Sequence, residues 1–326
     1  MVDFRANAAP PVVVVAGPTA SGKTAVAIEL ALRFGGEIVN ADSVQVFRHL
    51  DIGTAKPSLA ERARVPHHLL DVVTPDVPYN AGRYAREARS AASAIHARAG
   101  IVFLTGGTGL YIRAFLEGLI EDGPANMALR AELEREAERA AAEGDPHRLH
   151  RRLAAVDPEA AQAIHPNDRR RVVRALELGT RTGTPASRLR ATHRFSDRPY
   201  RVLYLVLDPG VAALDARIDA RAAAMIDAGL LRECRWLREQ GYGPELRPLQ
   251  SIGYRHVMPV VDGSDTLVNA LEGMRRDTRR FARRQRTWFR AIPDAIWMHP
   301  DERSALEKRV AEFLAAAPEA DRDASV

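Results

Sequence analysis

The run GPTASGKT, Gly17 to Thr24, limits this chain more than any other feature. It follows the apolar, β-branched stretch Pro11 to Ala16 and precedes the helix-like Ala25 to Arg33. A strand that turns through Gly17 and Gly22 into a helix aims backbone N–H groups at a single anion, the geometry of a P-loop. The residues of the cradle are Gly17, Pro18, Thr19, Ala20, Ser21, Gly22, Lys23 and Thr24. Lys23 adds a point charge, and Thr24 offers a hydroxyl to a magnesium ion held by the same phosphates. The loop does not specify its ligand, which is ATP or any other diphosphate.

A P-loop needs a sheet around it, and the chain supplies one. Apolar β-branched runs followed by Gly, Thr or Asp turns recur at Val12 to Ala16, Glu37 to Asn40, Ile101 to Leu104 and Val202 to Leu207. Alternation with helical periodicity predicts an α/β fold, a P-loop NTPase-like parallel sheet flanked by helices. Strands vanish across the middle, where Met127 to Glu143 and Asn167 to Arg181 are Ala/Glu/Arg-rich, so an inserted all-helical domain is expected. The expected division is a core of residues 1–121 and 195–326, the second part ending in a basic helix, around an insertion of 122–194. The tail PEADRDASV is expected to be disordered.

Charge and cysteine content narrow the setting. The formal net charge is +5 and the sequence pI about 9.6, which fits an anionic macromolecular partner. A single cysteine, Cys234, excludes an internal disulfide and a Cys-based zinc site, and suits a reducing cytoplasm. No apolar run reaches the roughly 20 residues of a membrane span, and the opening MVDFRANAAPP lacks a leader pattern. A soluble, unprocessed protein is expected.

In parallel sheets ligands gather at the carboxyl ends of strands, so the residues just after each run carry the chemistry. Asp42, in ADSVQ, lies two residues beyond its strand and is poised as a general base, a magnesium ligand or the cap of the next turn. Thr108, in TGGTG, is expected at the same edge with a free hydroxyl, or in a tight strand-to-helix turn. Arg217 and Arg221 stand one turn apart, and either could clamp a diphosphate. Asp215 and Asp219 share that spacing and also allow an ordinary solvated helix.

The segment Met274 to Arg290 is the sharpest later feature. At about 100° per residue, Arg275, Arg276, Arg279, Arg280, Arg283, Arg284, Arg286 and Arg290 fall within one half of a helix. Met274, Phe281, Trp288 and Phe289 fall in the other half, which is expected to dock on a core. Only Asp277 interrupts the stripe, and a phosphodiester backbone is the partner such a stripe fits. Arg170 and Arg174 open a second basic helix in the insertion. His67, His68 and Asp71 do not make a convincing metal set, because adjacent histidines rarely face one ion.

Together these motifs resemble the bacterial tRNA dimethylallyltransferases. The resemblance rests on GPTASGKT, DSVQVFRHLDIGTAKP, PHHLLD, GGTGLYIRA, IHPNDRRRVVRALE, SIGYR and TRRFARRQRTWFR in this order, and covers most of the chain. It implies transfer of a dimethylallyl group from dimethylallyl diphosphate to the exocyclic amine of the adenine 3′ of the anticodon, in tRNAs reading codons that begin with U. It implies that Lys23 and Arg217 neutralise the diphosphate, that Thr24 holds Mg2+, that Asp42 is the general base and that Thr108 orients the amine or the diphosphate. The adenine would be flipped from its loop. The implied tRNA contacts are Asp42, Ser43, Val44, Gln45, Thr108, Arg130, Arg169, Arg170, Arg171, Val172 and Val173. They continue with Gln250, Ser251, Ile252, Gly253, Tyr254, Arg255, Arg283, Arg284, Gln285, Arg286, Thr287, Trp288, Phe289 and Arg290. The implied partner is the tRNA anticodon stem-loop, and a cytoplasmic monomer is expected.

The chain departs from that pattern at Phe47, where a tyrosine is usual and a hydroxyl near the base channel is therefore missing, and at Asn126, where an aspartate is expected. DPGVAALDARI lacks the arginine and histidine usual ahead of Arg217. Three rival readings remain. An ATP-using kinase or nucleic-acid-dependent ATPase needs a magnesium-binding carboxylate, for which Asp208 is the best candidate. A prenyltransferase acting on free adenylate would have no use for the arginine helix, and a non-catalytic RNA-binding module would leave the phosphate loop idle.

Overall fold

The computed structural model describes residues 9–119, 126–193 and 198–316. The N-terminal opening, the C-terminal tail and both expected insertion boundaries lie outside the described residues. Six parallel strands form one sheet: β1 Pro11–Ala16, β2 Gly36–Asn40, β3 His67–His68, β4 Ile101–Gly106, β5 Arg201–Leu207 and β6 Ile296–Met298. Their order is β3-β2-β4-β1-β5-β6. The four long strands are those the apolar runs mark. The two edge strands, of two and three residues, are too short to show a period.

Both faces of the sheet are buried, which is why the strands read as continuous apolar runs. Val12, Val14 and Ala16 point into a core with Tyr84, Leu104, Phe115 and Phe289. Val13 and Val15 point into a second core with Val26, Ile28 and Leu30 of the helix Lys23–Phe34. Because every strand runs the same way, the loops after β1, β2, β4 and β5 meet at one edge.

The chain divides into two compact units, residues 1–116 with 198–326, and residues 117–197. The second unit is helical and has its own core of Leu133, Leu149, Leu153, Val172, Val173 and Leu176. Asp168 caps the helix Arg169–Thr182, its side chain accepting from Arg171 N. Glu177 is fully buried in this unit and takes hydrogen bonds from Arg130 Nη2 at 2.6 Å and Arg174 Nη1 at 2.9 Å. Burial would raise its carboxyl, and the arginines outweigh that and hold it low. Arg169 bonds Glu134 O and Glu138, Arg171 pairs with Asp168, and Arg170 is exposed. Val172 and Val173, expected against tRNA, instead point into the core as the apolar side of an amphipathic helix. Among the described residues no helix is long and apolar enough to cross a membrane.

Candidate active site

The phosphate loop has the expected form. Gly17 follows β1 so closely beneath Leu207 and Ser21 that a Cβ there would overlap both. Gly22 starts the Lys23–Phe34 helix at φ 85°, a left-handed conformation that favours glycine. The Ser21 hydroxyl is buried, with no hydrogen-bond partner among the described residues. Lys23 Nζ turns back to Pro18 O at 3.2 Å. Thr24 lines the adjoining cavity, and among the described residues its hydroxyl makes no hydrogen bond.

Across from the loop stands Asp42. Its Oδ1 accepts from Val44 N at 2.9 Å and Gln45 N at 3.3 Å, so the carboxylate caps the turn that carries it. Capping uses one oxygen. Oδ2 makes no hydrogen bond among the described residues, so capping and proton acceptance are compatible in one side chain. Thr108 differs from expectation, because its hydroxyl is engaged: Oγ1 accepts from Ser43 N at 3.0 Å and donates to Ser43 Oγ at 3.3 Å. It fixes the residue next to Asp42.

The charge partner of Lys23 is Arg221, one turn beyond Arg217. Arg221 lines the cavity, with Nη1 3.4 Å from Thr19 Oγ1 and Nη2 3.5 Å from Thr54 O. Arg217 lies instead near Gly22, its guanidinium about 3.8 Å from where a Cβ on that glycine would sit. Burial and the Arg221 charge push the Lys23 ammonium down to about 8, with Asp42 opposing. Burial also lowers Arg221, again opposed by Asp42. Two half-buried cations beside the Asp42 carboxylate form a site deficient in negative charge, which an anionic ligand would correct.

The cavity these groups share has a volume of about 360 Å3. Val44, Gln45 and Arg255 line it, as do Gln250 to Gly253 of the SIGYR segment. Gln45 Nε2 donates to Thr54 O and Ala55 O at 3.1 and 3.2 Å, tying it to the DIGTAKP loop. That loop is held by Glu233, a residue outside every motif. Its carboxylate accepts from Asp51 N, Ile52 N and Gly53 N at 2.8–3.2 Å and from the Tyr254 hydroxyl at 2.5 Å. Tyr254, expected against tRNA, is fully buried because its ring packs on Gly53. Lys56 is spent on Asp51 and Asp71 at 2.6 Å each. His67, His68 and Asp71 bond Val65 O, Glu37 and Arg62 respectively, and no group of three or more His, Cys, Asp or Glu side chains that could hold a metal ion occurs among the described residues. Phe47 is buried edge-on to Tyr79, away from the cavity, so a hydroxyl there would face the core.

The helix Leu267–Arg290 closes the site, and its arginines are less free than the wheel suggests. Arg283 pairs with Asp215 at 3.0 Å and Arg279 with Asp219, matching the one-turn spacing of the two helices. Arg286 Nε donates to Asp208 Oδ2 at 2.7 Å, and Asp277 takes Arg255, Arg276 and His256. Arg284 lines the cavity over the Phe281 ring, and Arg290 is exposed. Thr287 bonds Arg283 O. Gln285 is buried between two loops, with Oε1 on Thr19 N at 2.9 Å and Nε2 on Gly107 O at 2.8 Å. Met274 and Phe289 dock on the core as expected, which removes Phe289 from any RNA surface. Phe281 and Trp288 stay 37% exposed, one bordering the cavity and the other lying against Gly109.

The rival need for a magnesium-binding Asp208 fails here. Its Oδ2 is occupied by Arg286, its Oδ1 accepts from Gly210 N, and it does not line the cavity.

The IPP transferase family model matches residues 45–292. The chain belongs to this family. An isopentenyl transferase model also matches residues 10–71, the part around the phosphate loop. Among curated IPP transferase relatives, a tRNA dimethylallyltransferase of Desulfatibacillum aliphaticivorans is 48% identical over 93% of this chain and 98% of its own. One from Desulfosudis oleivorans is 48% identical over 92% and 93%. Among solved structures, the tRNA isopentenylpyrophosphate transferase of Bacillus halodurans matches with a TM-score of 0.69 at 34% identity, covering 94% of this chain and 97% of that one. A eukaryotic dimethylallyltransferase acting on tRNA matches with a TM-score of 0.79 at 28% identity, covering 96% and 82%.

Proposed function

We propose that this IPP transferase moves a dimethylallyl group from dimethylallyl diphosphate to the exocyclic amine of the adenine 3′ of the anticodon, in tRNAs reading codons that begin with U. The carbon–oxygen bond to the diphosphate breaks, a carbon–nitrogen bond to the amine forms, and the amine proton passes to Asp42. The loop amides, Lys23 and Arg221 hold the departing diphosphate. Stabilising charge as it develops there lowers the barrier more than tight ground-state binding would. Arg217 adds field from the outer side of the loop.

Magnesium fits the residues present, since Thr24 brings an uncommitted hydroxyl to the cavity. When bound, the ion would neutralise diphosphate oxygens. Asp42 is held by its own turn and Ser43 by Thr108, so the base meets the amine without reorganising. Arg255, Arg284, Phe281 and the Gln250 to Gly253 segment line the cavity where an unstacked adenine would enter.

The observation that carries this reading is one cavity that places Asp42 opposite Lys23 and Arg221. Incubation with dimethylallyl diphosphate, Mg2+ and an unmodified anticodon stem-loop tests it by mass spectrometry of the RNA. A gain of one dimethylallyl group is expected; phosphoryl transfer from ATP in its place would overturn it.

A further inference from the structure

One corner of the cavity has a polarity that a diphosphate does not explain. Strand register sets Ile38 beside His67, Asn40 beside Thr105, and Thr105 beside Val15. Residues paired across a sheet, and residues two apart along a strand, share a face, so His67, Asn40 and Thr105 stand together. Ile38 and Val15 place that face in the core covered by the Lys23–Phe34 helix, which carries Lys23 and Thr24. All five of these polar residues line the cavity.

Each of the three groups on the strands offers an acceptor, and of those three acceptors only the Thr105 hydroxyl can also donate. Thr105 is 7% exposed, and its hydroxyl oxygen is buried with no partner among the described residues. His67 Nδ1 lies 2.7 Å from Val65 O, a carbonyl that can only accept, so Nδ1 carries the proton and Nε2 holds a lone pair. That Nε2 is also buried with no partner among the described residues. Asn40 gives Nδ2 to Leu69 O at 3.1 Å and leaves Oδ1 uncommitted. Buried polar atoms are normally satisfied, so such a cluster marks a missing group. Phosphate oxygens repel the His67 Nε2 and Asn40 Oδ1 acceptors, so the group that satisfies those two must donate, and the Thr105 hydroxyl can accept from it as well.

We propose that His67 Nε2, Asn40 Oδ1 and Thr105 Oγ1 receive hydrogen bonds from water molecules on a divalent cation held by Thr24 and the diphosphate. This rests on the reading of Thr24 as a magnesium ligand. A small divalent cation dehydrates reluctantly and keeps several waters, each showing only O–H donors outward. In P-loop phosphotransferases an acidic side chain anchors that ion. Here the strand beside the loop carries Thr105 one residue before its end and its neighbour ends in Asn40, both neutral. Neutral acceptors orient the hydrated ion while leaving its full charge on the departing diphosphate.

The test uses Mn2+ with inorganic diphosphate, reading free Mn2+ by electron paramagnetic resonance. Thr105→Val and His67→Phe together should weaken Mn2+ binding about tenfold or more, the range for residues that orient metal ligands. Metal-free diphosphate affinity should stay the same, and Thr105→Ser, which keeps the acceptor, should behave like the native protein. An equal loss of metal-free diphosphate affinity would overturn the proposal, because the corner would then only support the loop. Unchanged Mn2+ affinity in the corner variants, with loss in Thr24→Ala, would overturn it and leave Thr24 as the ligand. Unchanged affinity in Thr24→Ala as well would remove the metal from the loop, and both readings would fall.

Discussion

Gln285 fixes the phosphate loop from the far end of the chain: its Oε1 accepts from Thr19 N at 2.9 Å, while its Nε2 donates to Gly107 O at 2.8 Å. One buried amide thereby sets the separation between the phosphate loop and the turn that carries Thr108. Gln285→Glu should be worse than Gln285→Ala, because a carboxylate sets an acceptor against the Gly107 carbonyl. The alanine variant strands a donor and an acceptor at roughly 1–3 kcal/mol each. Thermal melts and diphosphate titrations of both variants check this; equal effects would make Gln285 mere filling.

Asp42→Asn should lower turnover by roughly 10²–10⁴-fold, the usual worth of a positioned general base. The amide oxygen can still cap Val44 N, so the turn and the diphosphate affinity should survive. Single-turnover rates alongside binding separate the two effects. A native rate would remove Asp42 from the chemistry.

Arg221→Ala should weaken diphosphate binding more than Arg217→Ala, since only Arg221 lines the cavity. Calorimetry with inorganic diphosphate ranks them, and the reverse order would return the clamp to Arg217.

Lys23 gives a pH signature. Its folded value of about 8 lies below the ordinary 10.5, so between those values the free protein lacks a proton that the unfolded chain holds. Stability of the ligand-free protein therefore rises with pH across that window. A bound diphosphate favours the charged form and draws a proton in. Binding at pH 9 should take up protons, and affinity should fall as pH climbs past 8. Calorimetry in buffers of different ionisation enthalpy measures the uptake, and none at pH 9 would contradict the assignment.

The arginine helix divides into two kinds of residue. Arg284→Glu should reduce the salt dependence of tRNA binding with little loss of stability. Arg286→Glu should destabilise the fold, because it leaves the nearly buried Asp208 facing another carboxylate. Salt-dependent binding curves and melting temperatures distinguish them, and matching behaviour would refute the division.

Much of this protein follows from local pattern. Four long strands, the phosphate turn and the capped Asp42 corner are each encoded within about ten residues, where apolar alternation and glycine placement act directly. The parallel sheet then forces the loops after β1, β2 and β4 to one edge, so Lys23, Asp42 and Thr108 were legible as neighbours.

What the sequence did not decide is who packs across from whom. A helical wheel orients Arg279 and Arg283 relative to their own axis, but only the neighbouring helix brings Asp219 and Asp215 against them. The one-turn spacing in LDARIDAR was the available signal, and by itself it favoured an ordinary solvated helix. Arg217 and Arg221 share a face, and only tertiary packing brings Arg221 to the cavity. Tyr254, Gln285 and Phe289 lie within motifs that suggest RNA, yet Gly53, Gly107 and the core claim them. Periodicity reports a side chain's direction, whereas burial, pairing and the depressed Lys23 depend on distances between segments up to 266 positions apart.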